Sequence, residues 1–261
     1  MAPDGMHTIN IPSLQGKVSK EEWGARVNLA CAYRLIAHYG WTHVTANHIS
    51  LRVPGEEEHF LLNPYGLLFD EVTASSLVKI DLEGNKVADS EFGINQAGYV
   101  IHSAIHGARK DICCAIHTHT EAGMAVSSQK EGLLPLNMSA IRFYKRIAYH
   151  PYEGVTVDVE ERENIVKHLG NHYAMILRNH GLLTLGRNPG EAFYLMYNLE
   201  KACRAQVAAM AGGAELEIPP ENVLRKSAEQ SWRPNNNNPD EHPAWPALMR
   251  KMDRVDPSYR D

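Results

Sequence analysis

The stretch that constrains this chain most is 112–120, read ICCAIHTHT. Positions 112–116 are apolar throughout. A strand here buries both faces, so it belongs inside a sheet covered on both sides. The run ends in His117 and His119. Side chains alternate along a strand with period two, so histidines at i and i+2 point the same way. Two imidazoles converging from a rigid strand are half of a metal site.

The totals bound the rest. The chain has 261 residues, 44% hydrophobic and 22% charged, which suits one large domain or two small ones with a sizeable core. The formal net charge is -5 and the basic residues are scattered, so no nucleic-acid partner is expected. Residues 1–20 lack the apolar core of a signal peptide, and no apolar run approaches the ~20 residues needed to span a bilayer. The cysteines are Cys31, Cys113, Cys114 and Cys203, with no Cys-x-x-Cys pair. Reduced, buried thiols in a cytoplasmic protein are expected.

In order, 1–19 reads as an irregular arm. Ser19 starts a helix whose stripe is Trp23, Val27, Ala30, Cys31 and Leu35, and Gly40 ends it. Residues 59–63 and 77–81 read as strands, and Thr73-Ala74-Ser75-Ser76 as a short helix start. Asn95 can cap a helix to about Arg109, on which Gly98, His102 and His106 share a face. A helix over 121–128 follows the histidines, then loop and an extended stretch IRFYKRIAYH, a helix over 158–169 and a buried strand over 173–177. Asn188-Pro189-Gly190-Glu191 fits the start of a helix reaching Met210. The body is thus 20–213. The tail, 214–261, has a polar spacer at 235–238 and an apolar-striped helix over 245–252, and is expected to dock on the domain or on a neighbouring subunit.

His180 is the candidate third ligand, in an Asn-His-Gly turn after a buried strand. Three histidines leave open positions for water or substrate, the pattern of a catalytic rather than a closed structural metal. His-x-His alone is a weak pattern. The plainer reading is two imidazoles at a strand end, one packed and one solvated.

Taken together, TANHISLR, LLNPYGLLFDEVTASSLVKID, AIHTHT and ILRNHGLLTLG resemble the class II aldolase/adducin family, from about Trp23 through Gln206. The resemblance implies a three-layer α/β/α sandwich with a central, mainly antiparallel mixed sheet. It also implies a divalent metal held by His117, His119 and His180: zinc first, with iron, manganese or cobalt as alternatives. Family enzymes are usually homotetramers with active sites between neighbouring subunits.

The departures are informative. Sugar-phosphate members carry Ser-Ser-Glu before the histidine pair, with the glutamate as ligand and acid/base. The matching stretch here is Gln96-Ala97-Gly98, which supplies neither the acid nor the phosphate-binding serines. A phosphorylated substrate is therefore disfavoured, and proton transfer falls to another group. The candidates are His102, one turn beyond Gly98 on the same face, and Tyr144, in a segment resembling an active-site stretch of adducin-like bacterial members. His150 and Glu153 are weaker candidates. Asn47 and Ser50 in the ANHIS turn, with Asn63 and Gly66 in the neighbouring loop, are the expected substrate-binding residues. His43, His48, His59, His168 and His172 are assigned to structure or solvent, with His48 also placed to line the pocket.

These observations point to a metal-dependent lyase making aldol-type carbon–carbon cleavage in a small, non-phosphorylated hydroxy-carbonyl or hydroxy-acid. Two alternatives stand beside it. One is a non-haem Fe(II) oxygenase or decarboxylase acting on an aromatic hydroxy-acid. The other is a non-catalytic adducin-like assembly domain, against which the three retained histidines argue.

Overall fold

The computed structural model describes residue 9 and residues 11–154, 159–232 and 242–261. Residues 1–8 and 10 of the expected arm and the 235–238 spacer lie outside the described residues. Seven strands form one sheet: β1 (His48–Arg52), β2 (Phe60–Leu62), β3 (Val78–Ile80), β4 (Cys114–Thr118), β5 (Ala148–His150), β6 (Ala174–Leu177) and β7 (Gly181–Gly186). Their order is β3-β2-β1-β4-β7-β6-β5. Every pairing is antiparallel except β5 with β6. β4 is the central strand, and all five of its residues are buried, as two-sided apolar character demands.

The helices are α1 (Lys20–His38), α2 (Gln96–Ala108), α3 (Glu121–Ser127), α4 (Met138–Ile141), α5 (Val159–Leu169), α6 (Pro189–Met210), α7 (Glu221–Ser231) and α8 (Trp245–Val255). Their starts follow the capping chemistry. The side chains of Ser19, Asn95, Thr120 and Asn188 accept hydrogen bonds from Glu22, Gly98, Gly123 and Glu191 backbone N–H groups. α1 and α6 cover one face of the sheet, while α2 and α5 cover the other. The result is a three-layer α/β/α sandwich around a mainly antiparallel mixed sheet.

Alternation sorts the core. Ile49, Leu51, Cys114, Ile116, Ile176 and Leu182 face α1 and α6 within one large apolar cluster. On the opposite face Ala115, Met175, Leu177, Leu183 and Leu185 join Ile101 and Ile105 of α2, while Phe60, Leu62, Val78 and Ile80 form a separate group.

Three local expectations change. IRFYKRIAYH is not continuously extended. The Asn137 side chain accepts from the Ser139 and Ala140 N–H groups and starts α4, and Lys145 turns the chain at φ +57 before β5. Thr73–Ser76 closes as a turn, because its hydroxyls take up the local N–H groups that a helix would leave open. Within the tail a further helix, α7, rests its face on buried Leu224 and Ala228. The chain end docks on α1 of its own fold. Tyr259 is fully buried, its carbonyl accepts from Ala74 N–H, and Arg34 of α1 binds Asp256 at 2.6 Å.

Candidate metal centre

β4 places His117 within the sheet and carries the chain to His119 just past its end, on the same face. His180 arrives from the connection between β6 and β7. Asn179 there adopts φ +55, a left-handed conformation that asparagine tolerates better than most residues. A Cβ on Gly181 would lie 2.3 Å from the Thr118 carbonyl oxygen. Glycine therefore lets β7 begin against the end of β4, and that approach sets His180 beside the histidine pair.

The three Nε2 atoms form a triangle. His119 lies 2.7 Å from His117 and 2.9 Å from His180, and His117 lies 3.2 Å from His180. His117 Nδ1 donates to the Leu182 carbonyl oxygen at 2.8 Å, which leaves Nε2 of the neutral ring with a lone pair. His119 turns its Nδ1 to His43 Nδ1, 3.2 Å away. Burial drives the rings toward the neutral form. It holds His117 well below the usual imidazole range, with His119, His180 and His48 adding to the effect. Burial, then His180 and His43, bring His119 down to about 4. Burial and then His150 lower His180. Lone pairs this close repel unless a cation or shared proton stands among them. A tetrahedral ion with bonds of about 2.0–2.1 Å sets its nitrogens roughly 3.3 Å apart; the triad is drawn tighter than that, and a small outward shift of the rings would seat such an ion among three converging nitrogens.

Behind the triad lies a buried polar row. His48 pairs with His117 across β1 and β4, and their rings lie 4.9 Å apart between centroids. His48 Nδ1 lies 2.7 Å from His102 Nε2; the other nitrogen of His102 meets Ser50 Oγ, which meets His106 Nε2 at 2.7 Å. All four side chains are buried. Burial, then His102, lower His48 strongly; burial brings His106 to about 3, with the Arg52 charge adding. The row is therefore neutral at ordinary pH.

The profile of the class II aldolase and adducin N-terminal domain matches residues 27–207. A solved aldolase II superfamily protein from Pseudomonas syringae is 50% identical, covers 96% of this chain and 100% of its own, and superposes with a TM-score of 0.91. A Pseudomonas aeruginosa protein named for aldolase class 2 is 47% identical over 95% of this chain and 96% of its own length. Rat alpha-adducin is 43% identical over 88% of this chain but only 33% of its own. The chain belongs to the class II aldolase and adducin family.

Position 98, where the resemblance to sugar-phosphate members implies an acid, is glycine in this chain and is closely packed. A Cβ on Gly98 would lie 2.8 Å from two ring carbons of His48. The imidazole occupies the space above α2 that a side chain there would need.

The remaining expected site residues divide. His102 is not open to the triad, because both its ring nitrogens are engaged and His48 stands between. Ser50 is fully buried between two histidines, which removes it from substrate reach. Asn63 is also buried, its side-chain oxygen accepting from Tyr33 at 3.0 Å. Gly66 holds its turn at φ +99. Asn47 lies nearer the triad: its side-chain oxygen accepts from the His43 backbone, while its buried Nδ2 has no partner. Tyr144 sits apart, its hydroxyl 3.4 Å from Glu221 of α7.

His43, assigned to structure or solvent, and His48, assigned there but also placed to line the pocket, both lie against the triad. For His48 the signal was present. His48 and Ser50 alternate on one strand, as His117 and His119 do.

Proposed function

We propose that the protein is a metal-dependent lyase catalysing aldol-type carbon–carbon cleavage in a small, non-phosphorylated hydroxy-carbonyl or hydroxy-acid. The observation that carries this reading is the convergence of three neutral Nε2 atoms, from His117, His119 and His180, within 3.2 Å of one another. A divalent ion held there, zinc first and iron, manganese or cobalt otherwise, supplies Lewis acidity toward a substrate carbonyl. The chain's own residues do the rest. Leu182 and His43 orient the ligand rings. Asn47 offers its unpartnered Nδ2 to an oxygen near the triad. His102 serves as a positioning residue through His48. In the homotetramer expected of the family, Tyr144 would act from the surface of one copy on the site of the next, as the proton donor. The four cysteines are unpaired and no described helix is long and apolar enough to cross a membrane, which supports the cytoplasmic reading.

His117→Ala should abolish both bound metal, read by elemental analysis, and turnover of hydroxy-carbonyl candidates. Full turnover in that variant, or in metal-stripped protein, would sink the mechanism. A three-histidine site can also hold Fe(II), which gives a second reading, an Fe(II) oxygenase or decarboxylase acting on an aromatic hydroxy-acid. Iron as the resident metal, with oxygen consumed on adding an aromatic hydroxy-acid, would establish it. A protein that binds no metal would leave the assembly role suggested by the adducin match.

A further inference from the structure

The geometry points to an anionic, oxygen-chelating substrate, a 2-hydroxy- or 2-oxo-carboxylate, and sets an uncharged hydroxy-carbonyl aside. His48 is the residue that determines this, because its ring fills the place from which α2 would deliver a carboxylate. The inference rests on the metal-dependent reading above and narrows its substrate.

Charge around the triad carries the argument. Its three possible ligands are histidines, and none of the side chains packed on them is an acid: His43 on His119, His48 on His117, and Tyr152 with its ring 6.4 Å from that of His180. Position 98 cannot answer with an acid, because even one Cβ would sit 2.8 Å from the His48 ring. Nor can His48 swing aside freely, for its Nδ1 is held in the buried row through His102, Ser50 and His106.

Of the acids nearby, Glu121 opens α3 on its exposed side, and Glu200 and Glu153 are engaged elsewhere. Glu200 bonds Thr120, whose side chain points to the opposite face of the sheet and caps α3. Glu153 lines the small cleft beside His180, but Asn164 donates to both its oxygens at 3.1 Å and Arg178 lines the same cleft. A divalent ion in this setting keeps its full double charge. A buried charge without a partner is costly, so the centre is completed by a ligand that brings its own anion. A carboxylate with an adjacent hydroxyl or keto oxygen does so and chelates through two oxygens.

The experiment is calorimetric titration of the Co(II)-loaded protein with glycolate and, separately, hydroxyacetone, which has no charge, with the cobalt visible spectrum followed in parallel. Glycolate should bind and shift the spectrum at concentrations about tenfold lower or better, the minimum expected from one unscreened charge pair. Any cobalt site favours an anion to some degree, so the decisive comparison is with His48→Glu. That variant should lose about tenfold of the preference, whereas His48→Gln should keep it. If His48→Glu does not fold, Gly98→Glu combined with His48→Ala places the charge from α2 and is read the same way. No preference in the wild type, or one unchanged by the added carboxylate, would overturn the inference while leaving the metal-dependent reading intact. Failure of the wild type to bind cobalt or zinc at all would instead overturn that underlying reading.

Discussion

The two faces of the sheet are built on different principles. Toward α1 and α6 the side chains form one continuous apolar cluster from Leu61 to Ala174. Toward α2 and α5 the apolar material is broken into two groups, and between them runs the row His48, His102, Ser50 and His106. Both faces are equally dry. The first is held by area removed from water, which is tolerant of direction. The second depends on donors meeting acceptors, and an unmatched member costs about 1–3 kcal/mol. The largest apolar cluster lies on one face, and the polar row beside the triad lies on the other.

Breaking each side in turn should separate these roles. Leu199→Ala, at a fully buried position in α6, should lose about 2–5 kcal/mol in urea unfolding while leaving metal stoichiometry unchanged. Loss of metal in that variant would show that the faces are not separable. His102→Leu should behave in the opposite way. It strands His48 Nδ1 and Ser50, so stability should fall by about 1–3 kcal/mol. Metal affinity should fall about 10–100-fold, as when a ligand's outer support is removed. Unchanged affinity would reduce the row to packing.

Acid should act through the polar face. His106 titrates near 3 when folded, against 6.5 for the free ring. Below about 6.5 the unfolded chain takes up a proton that the folded row refuses, so stability falls progressively as pH drops toward 3 and is fully retained above 6.5. Urea midpoints between pH 7 and 4 should show this slope, and His106→Gln should flatten it; an identical slope in the variant would assign the effect to other groups. The smallest effect is expected far from both faces. Glu221 pairs with Lys145 and Arg225 in full exposure, so Glu221→Gln should leave the melting temperature within measurement error. A clear drop would mean that α7 is held by charge and not by Leu224 and Ala228.

Much of this was legible because period-two alternation is a local rule. The all-apolar run before His117 announces a strand covered on both faces, and the i, i+2 spacing puts His117 and His119 on one side. Capping is equally local, which is why Ser19, Asn95 and Asn188 mark real helix starts. Segment 141–150 is less legible: its aromatic and branched residues favour extension, while Asn137 upstream satisfies the N–H groups that begin α4.

The site residues divide along the same line. The sequence by itself determined the central strand, the histidine pair and the absence of an acid at position 98. Only the tertiary structure decided what that absence means. Whether Gly98 leaves a gap or makes room depends on β1 pairing with β4 in the register that sets His48 opposite His117. Register joins residues far apart in the chain, and no local pattern encodes it. It turned His48 from one pocket-lining candidate among several histidines into the wall of the site, and it closed His102 and Ser50 off behind that wall.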